Sequence, residues 1–464
     1  MASSLATQDV IASISAAVSR LANKEVVKFS KPLSSQSTVL GPKEVLELRH
    51  LAHKHEKHLK QIGAVSKQGN KYKLKKAQSD YFASYSARIC AVVRVLRRKR
   101  LHASADEVHK LAQCLDMTPL AEPVNARIVE KPKGGWRVVV VIGLLRTAQQ
   151  LIVRDMLYAL DIDSEFDFAR KGAGGEKAFI GSICNDIVDG RNWVCTVDVK
   201  NFFPSLRAKH FDWLPIPKDI LRNVVFLPKC AKIRVHYPKE NITTHSADNL
   251  STELPKKSSI IRLLRQGLPT GAVHSPLLAR SLLGRELHIL GEKWDVGKSS
   301  IMDDVSMRAW SQTDAVSAFD ALKMQLLLLP AGPLELHAKA PVYAPTKGAT
   351  VLGYRLLPGE GYDDNPVHVK PGGRRIEKHK RKLFAKLTAA AAKNLDLFEI
   401  GEEYWGQWYE SQQAWTKVPG YSWQVSWSAT QGYIQDFKSG IPMGQNAPML
   451  ISSANKAPPS DNSD

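Results

Sequence analysis

Two short runs of β-branched and apolar residues, each placed beside a segment with helical spacing, constrain the fold of this chain most. RVVVVI at 137–142 precedes LLRTAQQLIVRDMLYAL, and WVCTVDV at 193–199 follows a helical stretch at 176–188. Short apolar runs predict strands, whereas apolar residues at i, i+3 and i+4 predict helices. Strands that alternate with helices predict an α/β fold, here a sheet with helices packed on it.

The charge balance predicts a polyanionic partner. The 464 residues include 65 Lys and Arg against 45 Asp and Glu, a formal net charge of +20. Such a field attracts nucleic acid, although a generally basic surface without a function is the alternative. No apolar run reaches the roughly 20 residues that cross a bilayer, so no membrane contact and a cytoplasmic location are expected. The five cysteines form no CxxC pair, which argues against a zinc site.

Basic residues concentrate in the N-terminal region and in a segment that begins near 374. Residues 1–115 have the pattern of a basic helical extension, with clusters at 71–76 and 94–100 that suit phosphate contacts. A second basic helix begins near 374 with RRIEKHKRKLFAKL. Five tryptophans follow it, and the spacing of Trp405 and Trp408 favours a small helical core over base stacking. The final residues, 446–464, are rich in Ser, Asn and Pro and are expected to be disordered.

Acidic residues follow two predicted strands. Asp198 ends the strand in TVDVKNFFPSL, and Asp303 and Asp304 lie between short apolar runs in SSIMDDVSMRAW, as in a hairpin turn. Enzymes that join a hydroxyl to a phosphate with two divalent metals need carboxylates that converge from separate strands. A rival pair, Asp363 and Asp364, has Gly, Asn and Pro neighbours and is predicted to be an exposed turn.

The order and wording of these segments resemble a known family. DVKNFFPS, GLPTGAVHSPLLA at 267–279 and the DD hairpin look like consecutive palm motifs of bacterial reverse transcriptases of the retron and group II intron type. KPKGGWRVVVV at 131–141 resembles the fingers hairpin of that family. The resemblance, which covers about 130–385, implies a right-hand polymerase with an α+β palm, fingers, a helical thumb and a basic helical N-terminal extension.

The resemblance also implies domain boundaries. The extension covers 1–115, the fingers 116–192, and the first catalytic strand of the palm 193–206. An insertion between fingers and palm covers 207–262, the palm continues over 263–360, and a thumb-like helical region covers 361–445. The disordered tail at 446–464 completes this division.

The same resemblance assigns roles to individual residues. Asp198, Asp303, Asp304 and the backbone carbonyl of Val199 would bind two Mg²⁺ ions, with Mn²⁺ as an alternative. We expect Asp303 to face both metals and Asp304 to contribute less, because adjacent strand residues point to opposite faces. Lys339 would protonate the pyrophosphate. The residues assigned to the incoming nucleotide are Lys133, with Lys131 as its alternative, Arg137, Phe203, Thr270 and Gly271.

Two further groups are assigned to the nucleic acid. Leu352 and Gly353 would form the turn that holds the primer. The basic helix would follow the backbone of the template and primer through Arg374, Arg375, Lys378, Lys380, Arg381 and Lys382. The ring of Phe203 would clash with a ribose hydroxyl, which favours dNTPs over NTPs. Because neighbouring strand residues alternate between faces, one of Phe202 and Phe203 is expected to pack inward while the other faces the nucleotide, and the resemblance assigns the second role to Phe203. The expected partners are an RNA template, a DNA or RNA primer and dNTPs, with a dedicated non-coding RNA as a further one; the oligomeric state is left open.

Three functions follow for comparison. The first is an RNA-directed DNA polymerase, a nucleotidyltransferase with a role such as antiphage defence. The second is an RNA-dependent RNA polymerase, which the FFPS segment and Phe203 count against. The third is a catalytically degenerate palm that binds RNA. This third reading is kept open by Ile301, which stands where the family has an aromatic residue, and by Thr270, which stands where it has Gln.

Overall fold

The structure is a computed structural model that describes residues 42–101, 103–120, 122–130, 135–238, 254–337, 342–344, 347–358, 367–412, 423–440 and 442. The described residues divide into two compact units. Unit 1 draws them from Met1–Glu165, Val199–Glu286 and Gln325–Glu335. Unit 2 draws them from Phe166–Asp198, Leu287–Met324 and Leu336–Asp464.

The fold contains both helices and strands. The helices are α1 (Pro42–Lys67), α2 (Lys71–Ala83), α3 (Tyr85–Lys99), α4 (Ala105–Cys114), α5 (Leu144–Ala159), α6 (Gly175–Val188), α7 (Phe202–Ser205), α8 (Lys257–Gln266), α9 (Ser275–Gly291), α10 (Gln312–Leu327), α11 (Gly373–Ala391), α12 (Leu397–Gln412) and α13 (Trp423–Lys438), with short helical turns at Ala208–Phe211, Lys218–Ile220 and Leu221–Val225. The strands are β1 (Val124–Glu130), β2 (Trp136–Val141), β3 (Trp193–Asp198), β4 (Ile233–His236), β5 (Gly297–Ile301), β6 (Asp304–Ala309), β7 (Val342–Tyr343), β8 (Ala349–Val351), β9 (Tyr354–Pro358) and β10 (Val367–Pro371). This content confirms a mixed α+β fold.

Unit 1 contains a three-stranded sheet in the order β2–β1–β4. β1 pairs antiparallel with β2 and parallel with β4. Residues of β1 alternate between the two faces, so Val124, Ala126 and Ile128 are buried while Arg127 and Val129 are exposed. The buried face packs against α8 through Ile260 and Leu264. The sheet therefore has one face in the core and one in solvent.

The N-terminal helices use part of their positive charge internally. Arg94 of α3 donates two hydrogen bonds to Asp155 of α5, and His55 of α1 lies 3.4 Å from the same carboxylate. Tyr81 of α2 donates to the backbone oxygen of Ile152 at 3.2 Å. The sequence predicted that the cluster at 94–100 contacts phosphates, but Arg94 instead ties three helices together.

Unit 2 contains a four-stranded sheet in the order β5–β6–β3–β7 and a three-stranded sheet in the order β10–β9–β8. β3 and β6 are its two central strands, and all neighbours are antiparallel. Phe179, Ile180 and Ile183 of α6 pack against both sheets in one core cluster with Val194 and Tyr354. Central strands covered in this way are rigid supports for residues at their ends.

A buried arginine joins α6 to this sheet. Arg308 of β6 is 1% exposed and donates to Asp186 of α6, with Nε at 2.8 Å from Oδ2. Its Nη1 donates to Ser299 Oγ at 2.7 Å and to the Ser306 backbone oxygen at 2.8 Å, and its Nη2 donates to Ser182 Oγ at 3.3 Å. Burial lowers the pKa of Arg308, while the Asp186 carboxylate opposes that shift. The charge is thus fully hydrogen-bonded inside the protein.

The C-terminal helices of unit 2, α11, α12 and α13, pack together around one apolar core. Leu383 and Leu387 of α11 pack with Tyr433 and Ile434 of α13, and Trp405 of α12 is 2% exposed. Trp408 and Trp427 pack against the same cluster, whereas Trp415 and the side chain of Trp423 lie outside the described residues. The predicted helical core is confirmed for Trp405, Trp408 and Trp427.

The free energy of unfolding is expected to fall as the pH is lowered from about 6.5 to 4. His379 stacks on Tyr404 with ring centroids 5.3 Å apart, and His274 Nε2 lies 3.0 Å from the Val225 backbone oxygen. Burial lowers the pKa of both imidazoles from 6.5 to about 4. The unfolded chain therefore binds protons first, and each histidine removes up to about 3 kcal/mol as the pH falls through that window.

Urea unfolding at neutral pH and at acid pH measures this loss. His379→Phe keeps the ring packed on Tyr404 but has no proton to bind, so its stability should depend less on pH than that of the wild type. Equal pH dependence in the two proteins would show that His379 is not a source of the acid sensitivity.

In the parts of the chain that the structure describes, no helix is both long and apolar enough to cross a membrane. The expected disordered tail at 446–464 and the rival pair Asp363 and Asp364 lie outside the described residues. The fingers, palm and thumb boundaries remain a prediction.

Candidate active site

The acidic pair lies in a tight hairpin, as its sequence predicts. β5 ends at Ile301 and β6 begins at Asp304, and these two residues are paired across the hairpin. Met302 and Asp303 form the two-residue turn, and Met302 has a φ of +61°. Two-residue hairpin turns require positive φ at one or both central positions, because only then does the turn match the twist of the strands. The turn holds Asp303 directly beside Asp304.

The sheet register brings the third carboxylate to the same place. Asp198, the last residue of β3, is the direct cross-strand partner of Asp304. Directly opposed residues point to the same face of a sheet, with Cβ atoms about 4.5–5.5 Å apart. Both carboxylates therefore project from one face at the ends of the two central strands.

The three aspartates differ in exposure. Asp198 is exposed, whereas Asp303 and Asp304 are partly buried. The backbone oxygen of Asp198 accepts a hydrogen bond from the backbone N–H of His337 at 2.8 Å, which fixes the end of β3. The next residue, Val199, has a side chain that is 1% exposed. The register makes Asp304 the direct partner of Asp198, so the expected priority of Asp303 over Asp304 stays a prediction.

The carboxylates suit a hard divalent cation. Two negative charges directly opposite each other repel, so a cation bound between them is favourable. In the described ranges, no three His, Cys, Asp or Glu side chains converge closely enough to hold a metal by themselves. Mg²⁺ is usually held by only one or two carboxylates, with water and substrate phosphates completing its shell. The aspartates present therefore suit a Mg²⁺ ion that keeps water and phosphate ligands better than a metal that is held by protein ligands alone.

Unit 1 brings together several residues assigned to the nucleotide. The Thr270 backbone oxygen accepts a hydrogen bond from the N–H of Val140 in β2 at 2.8 Å. Gly271 has a φ of +105°, and a Cβ there would lie 2.7 Å from the Val140 backbone oxygen. Only glycine allows this approach. The 267–274 turn is thus held against the strand that carries Arg137, whose side chain is exposed.

Phe203 is attached to the same turn. Its backbone oxygen accepts a hydrogen bond from Leu268 N–H at 3.0 Å, and a Cβ on Gly267 would lie 2.6 Å from the Pro204 backbone oxygen. The sequence predicted alternating strand faces for Phe202 and Phe203. That basis is wrong, because both residues lie in the short helix α7. They still differ in exposure, since Phe202 is 3% exposed and Phe203 is partly buried.

The predicted primer turn is a two-residue turn between β8 and β9. Leu352 has a φ of +49° and Gly353 a φ of +80°. Arg375 donates from Nη2 and Nε to the Leu352 backbone oxygen at 3.0 and 3.2 Å and packs over the Tyr354 ring. It also pairs with Glu176. Sequence analysis assigned Arg375 to the nucleic-acid backbone, whereas its contacts tie α11 to this turn.

The remaining basic residues of α11 are not equivalent. Lys378, Arg381 and Lys382 are exposed on one side of the helix. Lys380 donates to Glu377 at 3.1 Å and lies 5.2 Å from the Tyr433 ring, so it turns toward α13. The side chain of Arg374 lies outside the described residues, as do Lys131, Lys133 and Lys339. The role assigned to each of these residues, in nucleic-acid, nucleotide or pyrophosphate contact, stays a prediction.

One supporting residue was missed by sequence analysis. Thr196 opposes Ser306 and Val194 opposes Arg308, so Arg308 lies on the face of β6 that carries Asp304. The ion pair of Arg308 with Asp186 therefore fixes β6, the strand that begins at the acidic hairpin. The only sequence signal is a lone Arg within an apolar strand, in SMRA.

Comparison with known proteins gives little further information. No protein-family model matches the chain, and no curated protein matches it. Among solved structures, it is similar to telomerase from Candida albicans in complex with a fragment of telomeric RNA, at 11% identity and a TM-score of 0.32. The alignment covers 68% of this chain and 60% of the telomerase chain. A likeness at that level carries no argument about fold or function.

Proposed function

We propose that this protein is a nucleic-acid polymerase of the reverse-transcriptase type, which extends a primer on an RNA template with dNTPs. The observation that carries the proposal is the pairing of Asp198 with Asp304, beside Asp303 in a hairpin turn. The ordered resemblance of the surrounding motifs supports it independently. The chain has 65 basic and 45 acidic residues, and the resulting net charge of +20 suits a nucleic-acid partner.

The chain's own residues divide the work. Asp198, Asp303 and Asp304, with the carbonyl of Val199, would hold Mg²⁺, which when bound activates the primer hydroxyl and stabilises charge on the triphosphate. Arg137, with Lys131 or Lys133, binds the triphosphate, and Thr270 and Gly271 shape the nucleotide site. Lys339 donates a proton to the leaving pyrophosphate. These roles are carried over from the resemblance.

The remaining assigned residues bind the nucleic acid. Leu352 and Gly353 hold the primer, while Lys378, Arg381 and Lys382 neutralise backbone phosphates from the exposed side of α11. Arg375 positions α11 on the primer turn. Arg374 and Lys380 remain among the residues proposed to bind the nucleic acid. For Lys380, phosphate binding would compete with its contacts to Glu377 and Tyr433.

Selection of the sugar is the sharpest test of the proposal. A labelled primer on an RNA template is incubated with Mg²⁺ and either dNTPs or NTPs. Wild-type protein should extend with dNTPs, and Phe203→Val should raise the use of NTPs relative to dNTPs, because a smaller side chain leaves room for the 2′-hydroxyl. Phe202→Val is a matched control with the same change at a buried neighbour.

The outcome separates the three functions. Extension by the wild type with NTPs alone would establish the RNA polymerase instead. A failure to extend with either nucleotide, on primed templates with RNA or DNA primers, would favour the degenerate RNA-binding palm.

A further inference from the structure

A second cationic surface contains none of the residues assigned to catalysis or to the nucleotide. It is built from two segments, 226–238 and 254–266, which contain several Lys and Arg residues but no Asp or Glu. We name it the α8 patch and define it by five exposed residues: Lys229, Lys232, Lys256, Lys257 and Arg262. Both segments belong to unit 1.

Hydrogen bonds hold the two segments side by side. Arg265, near the end of α8, donates to the backbone oxygens of Lys229 at 2.9 Å, Pro228 at 3.2 Å and Ala231 at 3.3 Å. At the start of α8, the Tyr237 hydroxyl donates to the Pro255 backbone oxygen at 3.1 Å. The segments are therefore fixed to each other at both ends of the helix, so the patch is a built surface.

The apolar side of α8 is already occupied. Ile260 is 2% exposed and Leu264 is 4% exposed, and both pack in the core beneath the sheet. A helix that lies on a membrane inserts its apolar face into the lipid. Because this face is buried in the protein, the outward side of α8 presents mainly charge and hydroxyls, including Ser258 and Ser259.

The dimensions suit a polynucleotide backbone. A helix of ten residues is about 15 Å long, so Lys256 and Lys257 are separated from Lys229 and Lys232 by roughly that distance. A patch of this length can face several successive phosphates of one strand. Tyr237, 40% exposed, adds an aromatic surface beside the lysines. Cationic side chains beside an exposed ring are how proteins hold single strands without sequence preference.

From these contacts we infer that the α8 patch binds single-stranded RNA through its phosphates, as an anchoring surface additional to the polymerase site. The preference for RNA over DNA rests on the proposed function, whereas the charge argument does not. Arg265 is a positioning residue here, since its guanidinium is used on backbone oxygens.

The test removes three charges from α8. Lys256→Gln, Lys257→Gln and Arg262→Gln are combined, and the control combines Lys54→Gln, Lys57→Gln and Lys60→Gln on α1. The control residues are also exposed lysines of unit 1, but Glu56 lies among them. Both variants lose the same net charge, so a difference between them reports position and not total charge.

Binding of a labelled single-stranded RNA is measured by fluorescence anisotropy over a range of salt concentrations, in EDTA and without nucleotides. Each lost phosphate contact on a single strand lowers the slope of log K against log salt by about 0.7, so the patch variant should lose about 2. Near 0.1 M salt this corresponds to a roughly 100-fold weaker affinity. The control should change affinity by only a few-fold.

A second variant, Lys229→Gln with Lys232→Gln, approaches the patch from the other segment and should lose about 1.4 in slope. Wild-type slope and affinity in both patch variants, or an equal loss in the α1 control, would overturn the inference. A patch-dependent affinity for phosphatidylserine vesicles without one for RNA would also overturn it.

Single-stranded DNA of the same sequence tests the preference for RNA. Since metal and nucleotides are absent, the binding result is independent of catalysis. If the protein extends primers but its affinity for RNA does not depend on the α8 patch, only this inference is contradicted. If the protein binds RNA through the α8 patch but extends no primer, only the proposed polymerase function is contradicted.

Discussion

Asp198→Asn and Asp303→Asn should each reduce primer extension by about 1,000-fold or more, while the protein stays folded. Asn has the shape of Asp but no charge, so it holds a divalent cation poorly. Losing several kcal/mol of charge stabilisation in the transition state corresponds to a rate loss of this size. The rate is measured as single-turnover extension with saturating Mg²⁺ and dNTPs.

Thermal unfolding of the same variants gives the second readout. Asn keeps the volume of Asp, so Asp198→Asn and Asp304→Asn should still unfold cooperatively and near the wild-type temperature without metal. Added Mg²⁺ should stabilise the wild type more than either variant, because a ligand that binds the folded state stabilises it. A loss of both activity and stability would indicate misfolding.

A matched control is present in the sequence. Asp363→Asn with Asp364→Asn makes the same chemical change in an Asp-Asp pair whose neighbours predict an exposed turn. This variant should keep wild-type extension. Asp304→Asn should lose less activity than Asp303→Asn if the family ranking holds. Full activity in Asp198→Asn would remove the carboxylate pair from the catalytic mechanism.

Arg308→Met should lower the free energy of unfolding of unit 2 by about 3–5 kcal/mol. Methionine fills much of the volume but leaves Asp186 with only the partly exposed Arg191, at 3.4 Å, as an ion-pair partner, and breaking a buried ion pair on one side costs about that much. Ser299 and Ser182 also lose their hydrogen bonds to the guanidinium. The urea unfolding midpoint measures the loss.

Two comparisons isolate the ion pair. Arg355→Met makes the same substitution at an exposed position on β9 and should change stability by less than about 0.5 kcal/mol. Arg308→Met combined with Asp186→Leu should recover much of the loss, because an apolar pair replaces a buried charge pair at little cost. An Arg308→Met protein with wild-type stability would show that the network does not hold α6 to β6.

Local sequence carried much of the candidate site. An acidic pair between short apolar runs predicted a hairpin turn, and Ile301 pairs with Asp304 across that hairpin. The glycines of 267–271 are visible in the sequence, and Gly271 adopts a positive φ at a point where a Cβ would meet the Val140 backbone oxygen. The turn conformations follow from neighbouring residues, whereas Val140 as the partner of Gly271 is a tertiary contact.

The sequence was weaker where the conformation depends on distant residues. Phe202 and Phe203 follow a strand and were expected to continue its alternation, but the chain turns into a helix at once. Arg375 was grouped with the basic residues around it by composition, yet the backbone oxygen of Leu352 and the ring of Tyr354 fix its position. Neither partner is visible in the pattern of α11 alone.

The sequence by itself determined that Asp198 ends a strand, that Asp303 and Asp304 occupy a hairpin, and that the N-terminal region and the segment from about 374 are basic. Only the tertiary structure decided that Asp198 opposes Asp304, and that Arg308 meets a carboxylate 122 residues away. The physical reason is the register. A slip of one residue would turn every side chain of β6 to the other face, and packing against α6 and β3 selects between the two faces.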